Sequence, residues 1–74
     1  MNAEYVVVVE QSESGFGAFV PDLPGCVAVG ETREETLQLI QEAIGLHVES
    51  LRDAGEDIPP PTSTAERVVV YVAA

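Results

Sequence analysis

Two runs of consecutive apolar residues, near opposite ends of the chain, constrain its fold more than any other feature. The first is Val6–Val9 and the second is Val68–Val72. Neither run alternates apolar with polar residues, and strands of that kind are typically covered on both faces. The sequence predicts only one helix, which can cover one face of a sheet. We therefore expect the other face, or an edge strand, to contact another polypeptide in a homo-oligomer, most simply a two-fold dimer. The alternative is a monomer whose short strands tolerate exposed valines.

The predicted order of elements is β-β-β-α-β. The strands are expected at Tyr5–Val9, Phe16–Val20, Cys26–Val29 and Arg67–Ala73, and the helix at Arg33–Ala54. Short polar connections join the first three strands, which indicates an antiparallel meander. The predicted fold class is α+β, a mainly antiparallel sheet with one helix packed on one face.

A stretch punctuated by glycine and proline, Gly15–Glu35, predicts the centre of this fold. In Leu23–Cys26 the two central residues are proline and glycine, which fit a type II turn with the glycine at positive φ. Thr32 and Glu35 have the spacing of a capping box, which predicts that a helix begins between them.

One side of the predicted helix carries an apolar stripe that should lie on the sheet. Its members are Leu37, Ile40, Ile44, Val48 and Leu51. Leu39 and Leu46 point away from the stripe and are either ordinary surface leucines or an additional contact ridge. Gly45 lies in mid-helix at a cost of about 1 kcal/mol relative to alanine. Gly55 suits the position just after the helix end.

The balance of charge limits the classes of partner. The 74 residues include 13 acidic side chains against 3 arginines and no lysine, for a net charge of −10. This balance argues against direct binding to nucleic acid or to an anionic membrane surface, and it favours a basic protein partner. Acidity alone fits equally well with keeping a small protein in solution.

Length and cysteine content indicate a single small domain, residues 1–74, in a reducing compartment. Cys26 is the only cysteine, so it cannot form an internal disulfide, and it is expected to be a buried apolar residue. The first residues lack the basic segment of a signal peptide, and no apolar run is long enough to cross a membrane. The sequence predicts a cytoplasmic protein.

Three motifs together resemble the HicB family of antitoxins. They are VPDLPGC at Val20–Cys26, TREE at Thr32–Glu35 and AGEDIPPP at Ala54–Pro61. The resemblance implies a partial ribonuclease-H-like fold in which strand four lies parallel to and beside strand one. It also implies a protein-binding module that neutralises a HicA-type toxin, a small ribonuclease with a double-stranded-RNA-binding fold. The sequence resembles a short member of the family, without the C-terminal DNA-binding segment that many members carry.

A ribonuclease-H-like fold raises the question of a metal-dependent nuclease, which needs several carboxylates around Mg²⁺. Glu10, Asp22 and Glu31 are the candidates, but no spacing places them together. Asp22 has the simpler role of accepting hydrogen bonds from backbone amides of its own turn. His47 has no further ligands at metal-binding spacing. We therefore expect no catalytic residue, no metal site, no cofactor and no enzyme activity.

The leading hypothesis is an antitoxin-like module that contacts a small basic toxin through a sheet edge, the turn after strand two and acidic side chains. The acidic candidates for steering the toxin are Glu10, Glu13, Asp22 and Glu31. The apolar candidates for local order or direct contact are Phe16, Phe19 and Leu23. The alternative is a self-associating structural domain of the same fold with no cognate toxin.

Overall fold

The structure, a computed structural model, describes residues 2–73; Met1 and Ala74, the two ends of the predicted domain, lie outside the described residues. The elements are β1 (Val8–Ser12), β2 (Gly15–Phe19), β3 (Val27–Gly30) and α1 (Arg33–Asp53). The strands form one antiparallel sheet in the order β1-β2-β3. The prediction of an α+β fold with an antiparallel sheet and one packed helix is confirmed.

The first hairpin is tighter than expected and lies further along the chain. Ser12 pairs with Gly15 across a two-residue turn, and β1 runs from Val8 to Ser12. The strand therefore includes Gln11 and Ser12, which the sequence predicts in the loop. A Cβ on Gly15 would lie 2.5 Å from the carbonyl oxygen of Gly30, so only glycine allows β2 to begin at this point. The predicted strand residues Tyr5–Val7 precede β1 and are half-buried.

The predicted type II turn between β2 and β3 is present. The Cys26 amide donates to the Leu23 carbonyl at 3.1 Å, and Gly25 has a φ of +83°, as this turn requires. The Val20 amide donates to the Cys26 carbonyl at 3.2 Å and closes the base of the loop. The turn therefore holds the Leu23 side chain in the core, where it is 0% exposed.

Both ends of α1 are capped, the first by one of the two hydrogen bonds of the predicted capping box. Thr32 Oγ1 accepts a hydrogen bond from the Glu35 amide at 3.1 Å. At the other end Gly55 has a φ of +71°, and the Glu56 amide donates to the Leu51 carbonyl at 2.9 Å. This pattern is a Schellman motif, which satisfies carbonyl groups that the helix itself leaves without donors.

The core lies between α1 and one face of the sheet. Its buried apolar members are Ala18, Val20, Leu23, Cys26 and Ile40. Ile44 and Val48 of the predicted helix stripe pack against this cluster. Thr36 is the buried polar residue beside it, and its hydroxyl donates to the Thr32 carbonyl at 2.8 Å. The hydrogen bond explains how a hydroxyl is accommodated there.

The predicted fourth strand is not formed within this chain. Among the described residues no helix or strand follows α1, and the apolar run Val68–Val72 is exposed. The parallel pairing of strand four with strand one is therefore absent from the three-stranded sheet. The segment after α1 hydrogen-bonds to the body as far as Ser63, and the side chains from Val68 to Val72 are exposed. These strand-forming residues consequently meet no edge of their own sheet.

Candidate protein-binding surface

The sheet face that points away from α1 is open and largely apolar. Residues that pair in an antiparallel ladder point to the same face, so Val8, Phe19 and Val27 form one row. The next row contains Glu10 and Val29, on either side of a glycine. Phe19 is 38% exposed, Val27 62% and Val29 76%. We call the four apolar side chains of these rows, Val8, Phe19, Val27 and Val29, the open face.

The acidic candidates surround this face at different points. Glu10 lies within the second row and is exposed. Glu13 lies in the turn between β1 and β2, and Glu31 directly follows β3. Gly15 and Gly30 both pair at that end of the sheet, one with β1 and the other with β2, so Glu13 and Glu31 lie at the same end. Two of the four acidic candidates are thus brought together, with Glu10 nearer the centre.

The carboxylates considered for a nuclease do not converge. Asp22 follows the end of β2, whereas Glu31 follows the end of β3, which runs in the opposite direction. Strands of four and five residues separate these two positions, at about 3.3 Å per residue. Within residues 2–73 no three His, Cys, Asp or Glu side chains are grouped in a way that could hold a metal ion. The geometry does not fit a multi-carboxylate magnesium centre.

Asp22 connects the turn after β2 to the segment that follows α1. Its Oδ2 accepts from the Ser63 amide at 2.8 Å, and its Oδ1 accepts from the Ser63 hydroxyl at 2.8 Å and the Thr62 hydroxyl at 3.2 Å. These hydrogen bonds hold the pKa of the Asp22 carboxyl below its usual value. The bond from the Ser63 amide has the largest effect, and the bond from the Ser63 hydroxyl has the next largest. The sequence predicts that this carboxylate accepts from the amides of its own turn, whereas in the structure its partners are Thr62 and Ser63.

The three apolar candidates lie in different environments. Leu23 is fully buried, so its side chain contributes to packing and is not available to a partner. Phe16 is half-buried and pairs with Gly30 on the face that carries α1. Phe19 alone lies on the open face. The two roles considered for these residues are local order and direct contact with a partner. The burial of Leu23 is consistent with the first role, and the exposure of Phe19 is consistent with the second.

Several residues that shape this surface were missed by sequence reasoning. Val27 and Val29 were assigned to a strand, but their exposure was not foreseen; the large-small-large alternation of Val27-Ala28-Val29 was the available signal. The Tyr5 hydroxyl donates to the Pro59 carbonyl at 2.5 Å, which joins the N-terminal segment to the proline-rich segment. A tyrosine at the start of an apolar run indicates that its hydroxyl has a hydrogen-bond partner. The sequence does not identify that partner, because it lies 54 residues away.

Two further residue-level features bear on function. Cys26 is buried, and burial raises the pKa of its thiol, which fits the predicted structural role. Within residues 2–73, no helix combines the length and hydropathy that crossing a bilayer requires.

Comparison with protein families identifies the family of this chain. The model of the HicB-like antitoxin of bacterial toxin–antitoxin systems matches residues 5–70. The chain belongs to the HicB-like antitoxin family. The match includes the turn after β2, all three strands and the whole of α1. It therefore covers the elements that build the open face.

Individual HicB-like relatives agree with this assignment. The chain is 39% identical over 69 residues to UPF0150 protein Ta0767 of Thermoplasma acidophilum, covering 92% of this chain and 97% of that protein. It is 32% identical over 68 residues to Antitoxin HicB 2 of Photorhabdus laumondii subsp. laumondii, covering 92% of this chain. The chain spans 49% of the length of that antitoxin. It is also 34% identical over 55 residues to an uncharacterised 14.9 kDa protein of Haemophilus phage HP1, and that match covers 74% of this chain and 41% of the phage protein.

A solved structure supports the same fold. A chain of a HicA3 and HicB3 toxin–antitoxin complex superposes with a TM-score of 0.68 at 30% sequence identity. The superposition covers 80% of this chain and 70% of that chain. The HicB-like architecture of a three-stranded antiparallel sheet and one helix is therefore shared with a protein from a toxin–antitoxin assembly.

Proposed function

We propose that this HicB-like chain binds and neutralises a small basic toxin ribonuclease of the HicA type, and that the open face is the contact surface. The observation that carries the proposal is the exposure of Phe19, Val27 and Val29 on adjoining rows of one sheet face, with Glu10 among them. Family membership and the fold shared with a chain of a HicA3 and HicB3 complex support the choice of partner.

The composition of this surface suits a protein partner of opposite charge. Protein interfaces combine an apolar centre with a polar rim, and here an apolar sheet face is accompanied by Glu10, Glu13 and Glu31. The net charge of −10 favours rapid association with a basic protein. On this proposal the apolar side chains supply most of the affinity, and the carboxylates supply the steering and part of the specificity.

Neutralisation on this proposal requires no chemistry from the antitoxin. A ribonuclease needs cationic side chains to bind RNA phosphates. An acidic protein that pairs with those side chains competes with RNA for the same surface and physically covers it. We accordingly propose a non-enzymatic protein with no cofactor, in which Glu10, Glu13 and Glu31 act on the toxin's RNA-binding cations.

The test is binding to the product of the neighbouring gene, if that gene encodes a small basic protein. The two chains should co-purify, and the toxin's cleavage of a model RNA should stop when this chain is added in equal amount. Phe19→Glu and Val29→Glu should each weaken binding by about tenfold or more, because each buries a charge in the apolar centre of the contact. Isothermal titration calorimetry measures the change.

A matched control is available on the opposite side of the molecule. Leu46 is 69% exposed on α1, so Leu46→Glu makes the same kind of change to an exposed apolar residue away from the open face. We expect its toxin affinity to equal that of the unmodified chain. Unchanged affinity of the Phe19 and Val29 variants, or loss of affinity with Leu46→Glu, would contradict the proposed contact surface. Absence of any binding would contradict the antitoxin role.

A further inference from the structure

The tail, residues 67–73, is an exposed apolar sequence that pairs with no strand among residues 2–73. Five successive large side chains are between 69% and 99% exposed: Val68, Val69, Val70, Tyr71 and Val72. Residues of these types favour strands, yet neither helix nor strand is assigned to the tail. A strand needs a neighbour for its backbone N–H and C=O groups. The tail consequently lacks both a cover for its side chains and a ladder for its backbone.

The outer edge of β1 has backbone N–H and C=O groups that no neighbouring strand among residues 2–73 pairs with. Because the strand order is β1-β2-β3, β1 pairs with β2 alone, and within residues 2–73 no strand lies on its other side. An edge of this kind is a template for an additional strand. β1 is five residues long, which matches the length of the apolar run in the tail.

The segment before the tail reaches this edge but does not continue along it. Ser63, Thr64 and Ala65 line a small groove together with Tyr5 and Val6, which directly precede β1. Beyond that groove the side chains from Val68 to Val72 are exposed, and the molecule as a whole measures 53 Å in its longest direction against 27 Å in the next. The tail therefore follows a segment that lies beside the residues preceding β1, and its own apolar side chains are exposed.

We propose that the tail of one copy pairs with the outer edge of β1 in a second copy, and that the second tail pairs in the same way with the first copy. Exchange of an identical element between two protomers is reciprocal and closes with two-fold symmetry. Each sheet then contains four strands, and the strand absent from the isolated chain is supplied by its neighbour. The apolar side chains of the tail are covered and its backbone groups are paired.

The local distribution of charge allows a second copy of this chain as the occupant, although the net charge opposes it. Two chains of net charge −10 repel each other over most of their surfaces. The tail is an exception, because it begins with Arg67 and carries no charge from Val68 to Ala73. Glu10, in the middle of β1, is an exposed carboxylate that can attract Arg67 of the second copy. The contact thus joins the least acidic segment of one copy to an edge that bears one acid.

The first experiment measures mass in solution without any toxin, so its outcome is independent of the proposed antitoxin function. Light scattering of the unmodified chain at high micromolar concentration should give twice the chain mass of 7.9 kDa. The double variant Val69→Asp/Tyr71→Asp should be a monomer with unchanged helix content by circular dichroism, because both side chains are exposed in the isolated chain. Val27→Asp, on the open face, is the matched control and should remain a dimer.

The second experiment separates exchange from a tail that folds back onto its own β1. In a Cys26→Ala background, a Gln11→Cys chain and a Val70→Cys chain are refolded together and treated with a short bis-maleimide. Each chain then has one cysteine, so every crosslink joins two chains. We expect a mixed crosslinked product by mass spectrometry, and little of it when Gln38→Cys on the exposed side of α1 replaces Gln11→Cys.

Three results would overturn the proposal. The first is a monomeric unmodified chain at high micromolar concentration. The second is a dimer that survives the tail variant or is abolished by Val27→Asp, since either places the dimer contact elsewhere. The third is a dimer that gives no mixed product between Gln11→Cys and Val70→Cys chains, which shows that the tails are not exchanged.

Discussion

Asp22 holds Ser63 by two hydrogen bonds of 2.8 Å, one from the backbone amide and one from the hydroxyl. The two residues are 41 positions apart. The pair joins the turn after β2 to the segment after α1. A carboxylate that bonds a backbone amide acts on chain direction as well as on stability, because the donor belongs to the main chain.

The Asp22 contact gives the first prediction. Asp22→Asn replaces one of the two accepting oxygens with a donor and removes the negative charge, so the amide and the hydroxyl of Ser63 can no longer each bond to a separate charged oxygen. We expect a lower melting temperature at pH 7, measured by circular dichroism. Asp57→Asn removes the same charge at an exposed position and should leave the melting temperature nearly unchanged. Equal melting temperatures for all three chains would contradict the role of the contact.

The second prediction concerns the pH dependence of that difference. Hydrogen bonds from Ser63 lower the pKa of Asp22 below its ordinary value of 3.8. A carboxyl whose pKa is lower in the folded than in the unfolded chain stabilises the fold above the unfolded pKa, and this contribution is lost as the pH falls through the folded pKa. The melting-temperature difference between the unmodified and Asp22→Asn chains should be full at neutral pH and should shrink as the pH falls below about 4. A difference that grows in acid would contradict the assignment.

The sequence predicted the centre of this fold because several local signals agree there. The type II turn of Leu23–Cys26 and the cap at Thr32 depend on residues within a few positions of each other, so their backbone consequences can be inferred directly. The Asp22 partners could not be inferred in this way. Ser63 comes near only after α1 has crossed the sheet, and a carboxylate in a turn has local amides that compete as candidates.

The first and fourth strands show a different limit. The valine run at Val6–Val9 indicated a strand, but the tight turn at Glu13 and Ser14 moved the ladder to Val8–Ser12. Turn length sets the pairing register of a hairpin. The run of polar residues around this turn is compatible with more than one turn length, so the sequence does not determine the register. The tail has the composition of a strand, but composition does not say which chain provides the neighbouring edge. The sequence predicted that one face of the sheet is not covered by the helix. Which residues lie on that face follows only from the pairing register of the three strands.

The buried thiol gives the third prediction. Cys26 is 3% exposed, and burial raises the pKa of its thiol. The reactive species is the thiolate, so modification of the folded chain at neutral pH should be slow. We expect Ellman's reagent to react at least tenfold faster in denaturant than in buffer, as followed by absorbance. Equal rates in the two conditions would contradict the burial of this residue.

The close approach of the sheet to the first turn of α1 gives the fourth prediction. A Cβ on Gly30 would lie 2.5 Å from Thr36 Oγ1 and 3.1 Å from the Thr36 backbone nitrogen. Part of this contact is backbone and cannot rotate away, so Gly30→Ala should destabilise the fold by about 1–3 kcal/mol. Urea unfolding followed by circular dichroism measures the change. A stability equal to that of the unmodified chain would show that β3 and α1 are further apart than described.

The fifth prediction is the opposite result at a glycine that has room. Gly45 lies within α1, it is exposed, and a Cβ built on it meets nothing within 4 Å. Alanine at that position loses less conformational entropy on folding, so Gly45→Ala should stabilise the chain by about 0.5–1 kcal/mol. For a domain of this size a change of 1 kcal/mol corresponds to roughly 4–8 °C in melting temperature, which thermal unfolding resolves easily. The substitution leaves the open face and the tail untouched, so toxin binding and dimer formation should be unchanged. A loss of stability would contradict the open space around Gly45, and a loss of either interaction would show that this part of α1 contacts a partner.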